Sequence, residues 1–228
     1  MKIVKDWKML RKSIILLAIA LFITSLREVK GQIVKDIDGN VYPSVSIGNQ
    51  IWMAENLKTT KFNDGTPILL VTDNKAWKTI TTPAYCWLNN DINNKDVYGA
   101  LYNWFTVNTK KLCPKGWHIP ADTEWSIMIT FLGDKTVAGD KLKEAGQVNW
   151  KNTLDIGTND FGFTGIPGGM RLYTGVFPLF ANSYAVFWSA TQNTNELAWN
   201  RGLYYTTSIV YKGSESKHCG FSVRCIKD

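Results

Sequence analysis

The stretch Cys113–Trp125, CPKGWHIPADTEW, constrains the fold of this chain more than any other stretch. It combines a cysteine, a Pro-Lys-Gly turn, two tryptophans and the start of a helix. Pro120 suits a helix start because its missing N–H is not needed there, and Glu124 stands where the reciprocal half of a capping box is found. The usual Ser/Thr cap position is Ala121, so either Asp122 caps the helix or its start is weak.

The segment after this start predicts a helix with one buried face. Its apolar residues recur at i, i+3, i+4 and i+7, and a glycine follows them, which favours a C-terminal stop. They are Trp125, Met128, Ile129, Leu132 and then Gly133. Tyr98–Val107 predicts an earlier helix, and residues 138–146 give a short helical signal of their own.

Most other apolar segments favour strands, because they are short, rich in β-branched and aromatic residues and bounded by turn signals. The predicted strands include Ile51–Ala54, Phe187–Thr191, Leu203–Tyr211 and Phe221–Ile226. Short strands arranged around two helices predict an α+β domain.

Residues 1–31 have the pattern of a secretory signal peptide. A basic pair precedes the uninterrupted apolar run Ile14–Ile23, and small residues lie near the expected cut. The run is too short to cross a bilayer comfortably, which takes about 20 apolar residues. We therefore expect residues 32–228 to form a single domain that is secreted or lies on the cell surface or the periplasmic side. The alternative is that this segment stays uncut as a membrane anchor, and the charged residues 27–30 favour this alternative. The anchor would then be the only contact of the chain with the membrane.

The charge balance argues against nucleic-acid binding. The chain has a formal net charge of +7, but residues 1–31 contain seven basic and two acidic side chains. The remainder therefore carries a net charge of only +2, and its sequence has no evident basic patch or stripe. At 45% hydrophobic residues, the chain can form a sizeable core.

Six blocks of the sequence resemble the Fibrobacter succinogenes major paralogous domain family. They are WMAENL (Trp52–Leu57), YGALYNW (Tyr98–Trp104), CPKGWHIPADTEW (Cys113–Trp125), PGGMR (Pro167–Arg171), FWSAT (Phe187–Thr191) and GFSVRCIKD (Gly220–Asp228). The resemblance runs from about Lys35 to Asp228. It implies a C-type-lectin-like fold, in which two short helices pack on small, mainly antiparallel sheets with long loops. The HIPADTEW block is also similar to a block of formylglycine-generating and sulfatase-modifying enzymes, which share that fold.

The chain contains four cysteines, Cys86, Cys113, Cys219 and Cys225. In an exported chain this even number permits two disulfides, and the sequence alone leaves three connectivities open. The resemblance implies a Cys113–Cys225 disulfide, because in the lectin-like fold a cysteine near the first helices pairs with one on the last strand. That pairing leaves Cys86 and Cys219 for a second bridge.

The loop Thr191–Trp199 is the predicted ligand surface. It follows the FWSAT strand, where the lectin-like fold has its binding loops. Its amide and carboxylate side chains suit sugar hydroxyls or a cation, and they are Gln192, Asn193, Asn195 and Glu196. A solvated loop without a ligand is the simpler interpretation. The aromatic residues Trp77, Tyr85 and Trp87 could stack on a sugar, but core packing is the favoured interpretation.

Metal and catalytic motifs are scarce. The loop Asn89–Asp96 offers oxygen ligands for calcium, but its spacing does not fit an EF-hand, so we expect no cofactor and keep calcium as an alternative. With two histidines and no CxxC, a zinc site is not expected. His118 is interpreted as structural. His218 and Cys219 are not expected to act as a nucleophile pair, because neighbours on a strand point in opposite directions.

These observations favour a non-enzymatic module that binds a glycan or a protein through loops on one side of the sheet. The alternative from another class is a formylglycine-generating-type oxidase, in which Cys219 and Cys225 would bind copper after a bend at Gly220 brings them together. A purely structural envelope protein is a third interpretation.

Overall fold

The computed structural model describes residues 33–150, 157–179 and 183–228. These residues belong to one unit, which spans Gly31–Asp228. The signal peptide predicted for residues 1–31 lies outside the described residues. Within the described part of the chain, no helix is long and apolar enough to cross a membrane.

The strands of the described residues form four small sheets. They are β1 (Val34–Lys35), β2 (Val41–Tyr42), β3 (Ser44–Ile47), β4 (Gln50–Met53), β5 (Leu69–Leu70), β6 (Ala84–Trp87), β7 (Ala100–Tyr102), β8 (Trp117–His118), β9 (Tyr184–Gln192), β10 (Leu197–Tyr204), β11 (Thr207–Ser216) and β12 (Ile226–Lys227). The sheet orders are β1-β2, β3-β4-β12-β8, β5-β6-β7 and β11-β10-β9. Neighbouring strands are antiparallel except for β5 and β6, which are parallel.

The helices are short, and of those described only one exceeds six residues. They are α1 (Asn74–Thr79), α2 (Lys95–Tyr98), α3 (Trp104–Val107), α4 (Asp122–Phe131) and α5 (Ala138–Leu142), with 3₁₀ turns at Leu88–Asn90 and Ile92–Asn94. Short helices and small antiparallel sheets confirm the predicted α+β class, although more helices form than the sequence predicts.

The single helix predicted over Tyr98–Val107 is wrong. Gly99 has a positive φ of 73° and ends α2, after which the chain forms β7. Asn103 then starts α3, because its side-chain oxygen accepts the Thr106 N–H. The apolar spacing resembles a helix, but a glycine and an amide stand where helices end and begin.

Helix α4 has the predicted buried face. Trp125, Met128 and Ile129 are buried, and Gly133 follows the helix with a positive φ of 120°. Trp125 packs against Trp52 on β4, with the ring centroids 4.8 Å apart, and this contact holds the helix on the sheet.

The start of α4 is capped partly from another element. Glu124 accepts the Ala121 N–H at 2.8 Å as predicted, but Asp122 does not act as the cap. Its N–H donates to Thr191 Oγ1 at 3.0 Å, and its carboxylate pairs with Arg201 at 2.6 Å. The helix start is therefore tied to the sheet β11-β10-β9.

The strand predicted over Leu203–Tyr211 is wrong as a single strand. It contains the turn at residues 205–206 between β10 and β11. These strands pair so that Asn200 lies opposite Gly213. No Gly, Pro, Asn or Asp marks the turn, so strand propensity alone could not locate it.

The segment Gly220–Lys227 joins three of the sheets. Phe221 exchanges two backbone hydrogen bonds with Tyr102 on β7, and Ser222 bonds to β9. Ile226 pairs with both β4 and β8. The strand predicted over Phe221–Ile226 is wrong as a single strand, because only isolated bridges form at Phe221 and Ser222 and β12 begins at Ile226. All residues from Gly220 to Ile226 are buried. A segment surrounded by other elements has no solvent-facing side.

Arg224 is fully buried in this segment. Its guanidinium donates to the carbonyl oxygens of Met53, Phe163 and Thr164 and to Asn56 Oδ1. It also lies 4.5 Å from the centre of the Phe163 ring. Burial lowers the pKa of Arg224 to about 9, and the group stays charged at neutral pH.

The aromatic residues that were candidates for a sugar-stacking surface belong to the core. Trp77, Tyr85 and Trp87 are at most 6% exposed, which confirms the favoured interpretation.

The disulfide Cys113–Cys225 is present, which confirms that pairing. It connects the loop before β8 to the buried final segment. The second bridge is wrong, because Cys86 and Cys219 are both unpaired and buried. Their thiols have different neighbours: Cys86 contacts Arg171, whereas Cys219 accepts from backbone N–H groups.

Replacing Cys225 with Ser should lower the free energy of unfolding by on the order of 4–5 kcal/mol, because the disulfide closes a loop with a sequence separation of 112 residues. Replacing Cys86 with Ser is the matched control and should cost less, because that thiol closes no loop. Urea unfolding without reductant measures both losses, and non-reducing peptide mapping identifies the linked peptides. A Cys86–Cys219 peptide as the main species, or equal losses in the two variants, would contradict the prediction.

Candidate functional site

The predicted ligand loop forms the hairpin between β9 and β10. The backbone N–H groups of Asn193 and Thr194 both donate to the Leu197 carbonyl at 3.0 Å. Asn193 Nδ2 also donates to Ser214 Oγ on β11 at 2.8 Å. These hydrogen bonds fix the loop against the sheet β11-β10-β9.

Lys217 stabilises this hairpin through two hydrogen bonds from its side chain. Its side chain is 7% exposed, and its Nζ donates to Gln192 Oε1 at 2.8 Å and to the Asn195 carbonyl at 2.6 Å. The same Nζ lies 4.7 Å from the centre of the Trp104 ring. Gln192 and Asn193 thus stabilise the hairpin, while the side chains of the remaining two predicted residues, Asn195 and Glu196, are exposed.

One face of the sheet β11-β10-β9 contains further polar and aromatic side chains. In the observed register Ala198 lies opposite Glu215, Asn200 opposite Gly213 and Gly202 opposite Tyr211. Side chains alternate between the two faces of a strand, so Asn200, Glu215 and Tyr211 share one face. The other face packs on α4, where Arg201 pairs with Asp122.

Two glycines make room on this face. A Cβ on Gly213 would lie 2.7 Å from Asn200 Oδ1 and 3.1 Å from Asn200 Nδ2, so the Asn200 amide lies across Gly213. A Cβ on Gly202 would lie 2.9 Å from the Tyr204 ring, which covers that glycine in the same way. Larger residues at either position would push these side chains outward.

Between these side chains lies a cleft of about 110 Å³, which we call the Tyr204–Tyr211 cleft. The two tyrosine rings are 4.7 Å apart between centroids and nearly perpendicular, at 85°. Tyr211 and Glu215 are exposed at its mouth. Its base is apolar and includes Met170, Val186, Cys219 and Phe221.

The side chain of Asn200 lines this cleft and includes an unused hydrogen-bond donor. The residue is 5% exposed, and among the described residues Asn200 Nδ2 has no hydrogen-bond partner. A buried donor without a partner typically costs about 1–3 kcal/mol. Burial first, and then the negative charge of Glu215, raise the pKa of the Tyr204 hydroxyl. The cleft therefore combines a buried donor with an acidic group and two aromatic rings.

A second cleft, of about 320 Å³, lies beside His118. His118 Nδ1 is 2.7 Å from Asp228 Oδ1, and His118 Nε2 is 2.9 Å from Glu124 Oε1. Burial opposes protonation most, but the hydrogen bonds to Asp228 and Glu124 together outweigh it and raise the pKa of His118. These contacts give His118 a structural role, because they connect β8, α4 and the residue after β12.

The cysteines considered for copper binding do not form a free pair. Cys225 is bonded to Cys113, and burial raises the pKa of the Cys219 thiol to about 12. The deprotonated thiolate is the nucleophile and metal ligand, whereas the protonated thiol is weak in both roles. The neighbouring His218 packs against Phe105, with ring centroids 5.1 Å apart.

The Asn- and Asp-rich loop uses several of its polar groups in its own turns. Asp91 Oδ1 accepts from the Asn93 N–H at 2.9 Å, and Asn94 Nδ2 donates to the Leu88 carbonyl at 2.9 Å. In the described part of the chain, no group of three or more His, Cys, Asp or Glu side chains is arranged to hold a metal ion. The expectation of no cofactor stays a prediction, with calcium binding at Asn89–Asp96 as its alternative.

Residues 45–227 match the family model of the Fibrobacter succinogenes major domain. The chain belongs to this family. The hairpin, both clefts and the disulfide involve residues inside the matched part of the Fibrobacter succinogenes major domain. Neither a curated protein nor a solved structure matches the chain. The more distant similarity to formylglycine-generating enzymes has no match to support it.

The Tyr204–Tyr211 cleft was not among the sites predicted from sequence. Two tyrosines seven positions apart on one strand would face opposite sides of the sheet. The turn at residues 205–206 reverses the chain and places both on one face. Gly202 and Gly213 in strand-forming segments were the available signal, because a glycine within a strand often marks close approach of another group.

Replacing His118 with Gln should remove stability that depends on pH. The folded-state pKa of His118 lies above its ordinary value of 6.5, so its stabilising effect is complete below about pH 6.5 and is lost as the pH rises through the folded-state pKa. We expect H118Q to be less stable than the wild type at pH 5.5, by no more than about 1 kcal/mol for each exposed pair, and nearly equal to it at pH 9.

Urea unfolding at the two pH values measures this difference. His218→Gln is the matched control, because burial lowers the pKa of His218 and its effect on stability changes in the opposite direction with pH. A constant difference between H118Q and the wild type across this range would contradict the prediction.

Proposed function

We propose that this chain is an exported carbohydrate-binding module of C-type-lectin-like fold, with the Tyr204–Tyr211 cleft and the hairpin Gln192–Glu196 as its binding surface. It acts as a non-enzymatic module, on the cell surface or after secretion. The observation that carries the proposal is the buried Asn200 side chain, whose Nδ2 has no partner among the described residues, beside two perpendicular tyrosines and a carboxylate.

Each part of this combination suits a sugar. Aromatic rings pack against the apolar face of a pyranose, and Tyr211 is exposed at the mouth of the cleft. Sugar hydroxyls both donate and accept, so one ligand can satisfy Asn200 Nδ2 and the Glu215 carboxylate together. A mostly apolar lining with a few convergent polar groups is the usual composition of a specific ligand site, and this cleft has that composition.

Two features support export and the lectin-like fold. A disulfide that closes most of the domain suits an oxidising compartment, as the signal-peptide pattern of residues 1–31 requires. The bridge between Cys113 and Cys225 is also the pairing that the lectin-like resemblance implies.

The other functional classes have less support. An oxidase of the formylglycine-generating type would need Cys219 and Cys225 reduced, and Cys225 is in a disulfide. A structural envelope protein would not need an unpartnered donor in the lining of a cleft. A protein ligand remains the alternative within the binding class, and the exposed hairpin would then contact it.

A glycan array on the purified protein tests the proposal. We expect selective binding to a subset of glycans, because the cleft is small and its polar groups are fixed. Equal signals for all glycans, or none, would overturn carbohydrate binding and favour a protein partner.

Replacing Tyr211 with Ala should weaken binding to an array-positive glycan about tenfold, because it removes the exposed aromatic wall. Trp199→Ala is the matched control, since Trp199 is an aromatic residue on the other face of β10, under Lys212. Isothermal titration calorimetry measures both affinities, and circular dichroism checks folding. An equal loss in the two variants would contradict the assignment of this face.

Replacing Asn195 and Glu196 with Ala tests the part played by the hairpin. Both side chains are exposed, and the Asn195 carbonyl that bonds Lys217 is retained, so the fold should persist. We expect the double variant to lose binding while its thermal midpoint stays within a few degrees of the wild type. Unchanged affinity would remove the hairpin from the site and leave the cleft alone.

A further inference from the structure

We infer that the Tyr204–Tyr211 cleft receives the acetamido group of an N-acetylated amino sugar, an assignment that rests on the proposed carbohydrate binding. An acetamido group presents a carbonyl acceptor, an N–H donor and a methyl group. The cleft offers a counterpart for each of these: the Asn200 donor, the Glu215 acceptor and an apolar base.

The size of the cleft suits this group. The volume of about 110 Å³ is well below the roughly 300–1,000 Å³ of a pocket that encloses a whole ligand, so the cleft suits a substituent of a sugar. An acetamido group has four non-hydrogen atoms. In this arrangement the sugar ring lies at the mouth, where Tyr211 is exposed.

The polar groups of the cleft suit a neutral amide. Within the described ranges Asn200 Nδ2 is a donor without a partner, and the Glu215 carboxylate is an acceptor on the same face. The two residues are diagonal neighbours across β10 and β11, a relation that places their backbone positions roughly 7–8 Å apart, within reach of one ligand group.

The base of the cleft suits the methyl group. Met170, Val186 and Phe221 line it, and Phe221 is held in place by its ring contact with Trp188 at 4.3 Å between centroids. Burying a methyl group there stabilises the complex by removing apolar surface from water. A hydroxyl in the same position would lose that contribution.

Charged substituents suit the cleft less well. An ammonium group would gain from Glu215 and the tyrosine rings, but it would leave the Asn200 donor facing another donor. A carboxylate would gain from Asn200 and be repelled by Glu215. The neutral acetamido group satisfies both residues at once.

Three β-1,4-linked trisaccharides that differ mainly at the second carbon of each sugar test the inference. They are tri-N-acetylchitotriose, its deacetylated form and cellotriose, which carry an acetamido group, an ammonium group and a hydroxyl group. With the purified protein, calorimetry should give an affinity for the acetylated trimer about tenfold or more above those for the other two.

Variants of the cleft identify the groups responsible. Asn200→Ala and Glu215→Ala should each reduce the preference for the acetylated trimer several-fold, with Asp96→Ala as the control for loss of an exposed carboxylate. Gly213→Ala keeps both polar groups but adds a Cβ that displaces the Asn200 amide. It should reduce the preference without removing any hydrogen-bonding group. This variant therefore tests whether the placement of the Asn200 amide matters, and not only its presence.

The outcomes separate the inference from the proposed function. Equal affinity for cellotriose and the acetylated trimer would overturn the acetamido assignment and leave carbohydrate binding intact. A preference for the deacetylated trimer would overturn it in favour of cation recognition. Binding to no glycan, in the array or here, would overturn carbohydrate binding and the inference with it. A preference that persists in the folded Asn200→Ala and Gly213→Ala variants would place acetamido recognition elsewhere on the surface.

Discussion

The buried guanidinium of Arg224 is the interaction on which the arrangement of the sheets depends. It donates to backbone carbonyls of β4 and of the loop at residues 163–164, and burial lowers its pKa to about 9 without neutralising it. A buried charge needs such partners, because an unsatisfied one is strongly destabilising. The next residue, Cys225, is bonded to Cys113. A cation and a covalent bond at adjacent positions therefore fix the segment to which three sheets are attached.

The candidate binding face follows from that segment. Ser222 bonds to β9 on one side, and Phe221 bonds to β7 and packs on Trp188. These contacts fix the sheet β11-β10-β9 to the final segment of the chain, and Lys217 fixes the hairpin between β9 and β10. Polar groups on such a support lose little conformational entropy when a ligand binds, which favours affinity.

The sequence predicted those parts of the structure that local patterns determine. The apolar spacing after Pro120 identified α4, and the cysteines allowed the observed disulfide once the family resemblance was considered. The sequence did not predict the hydrogen bond from Asp122 N–H to Thr191 or those from Arg224 to backbone carbonyls, since both join residues far apart in the chain. The cleft depends on an unmarked turn at residues 205–206 and on the register of two strands, neither of which the sequence specifies locally.

Ligand binding at this face is tested most directly by NMR titration of the ¹⁵N-labelled protein with tri-N-acetylchitotriose. The side-chain amide of Asn200 gives its own pair of signals, and this side chain lines the cleft. We predict that these signals and the backbone signals of Tyr204, Tyr211 and Glu215 shift most, with a common dissociation constant. Larger shifts around His118, or no change in the Asn200 side-chain signals at saturation, would contradict the assignment of this face as the binding site.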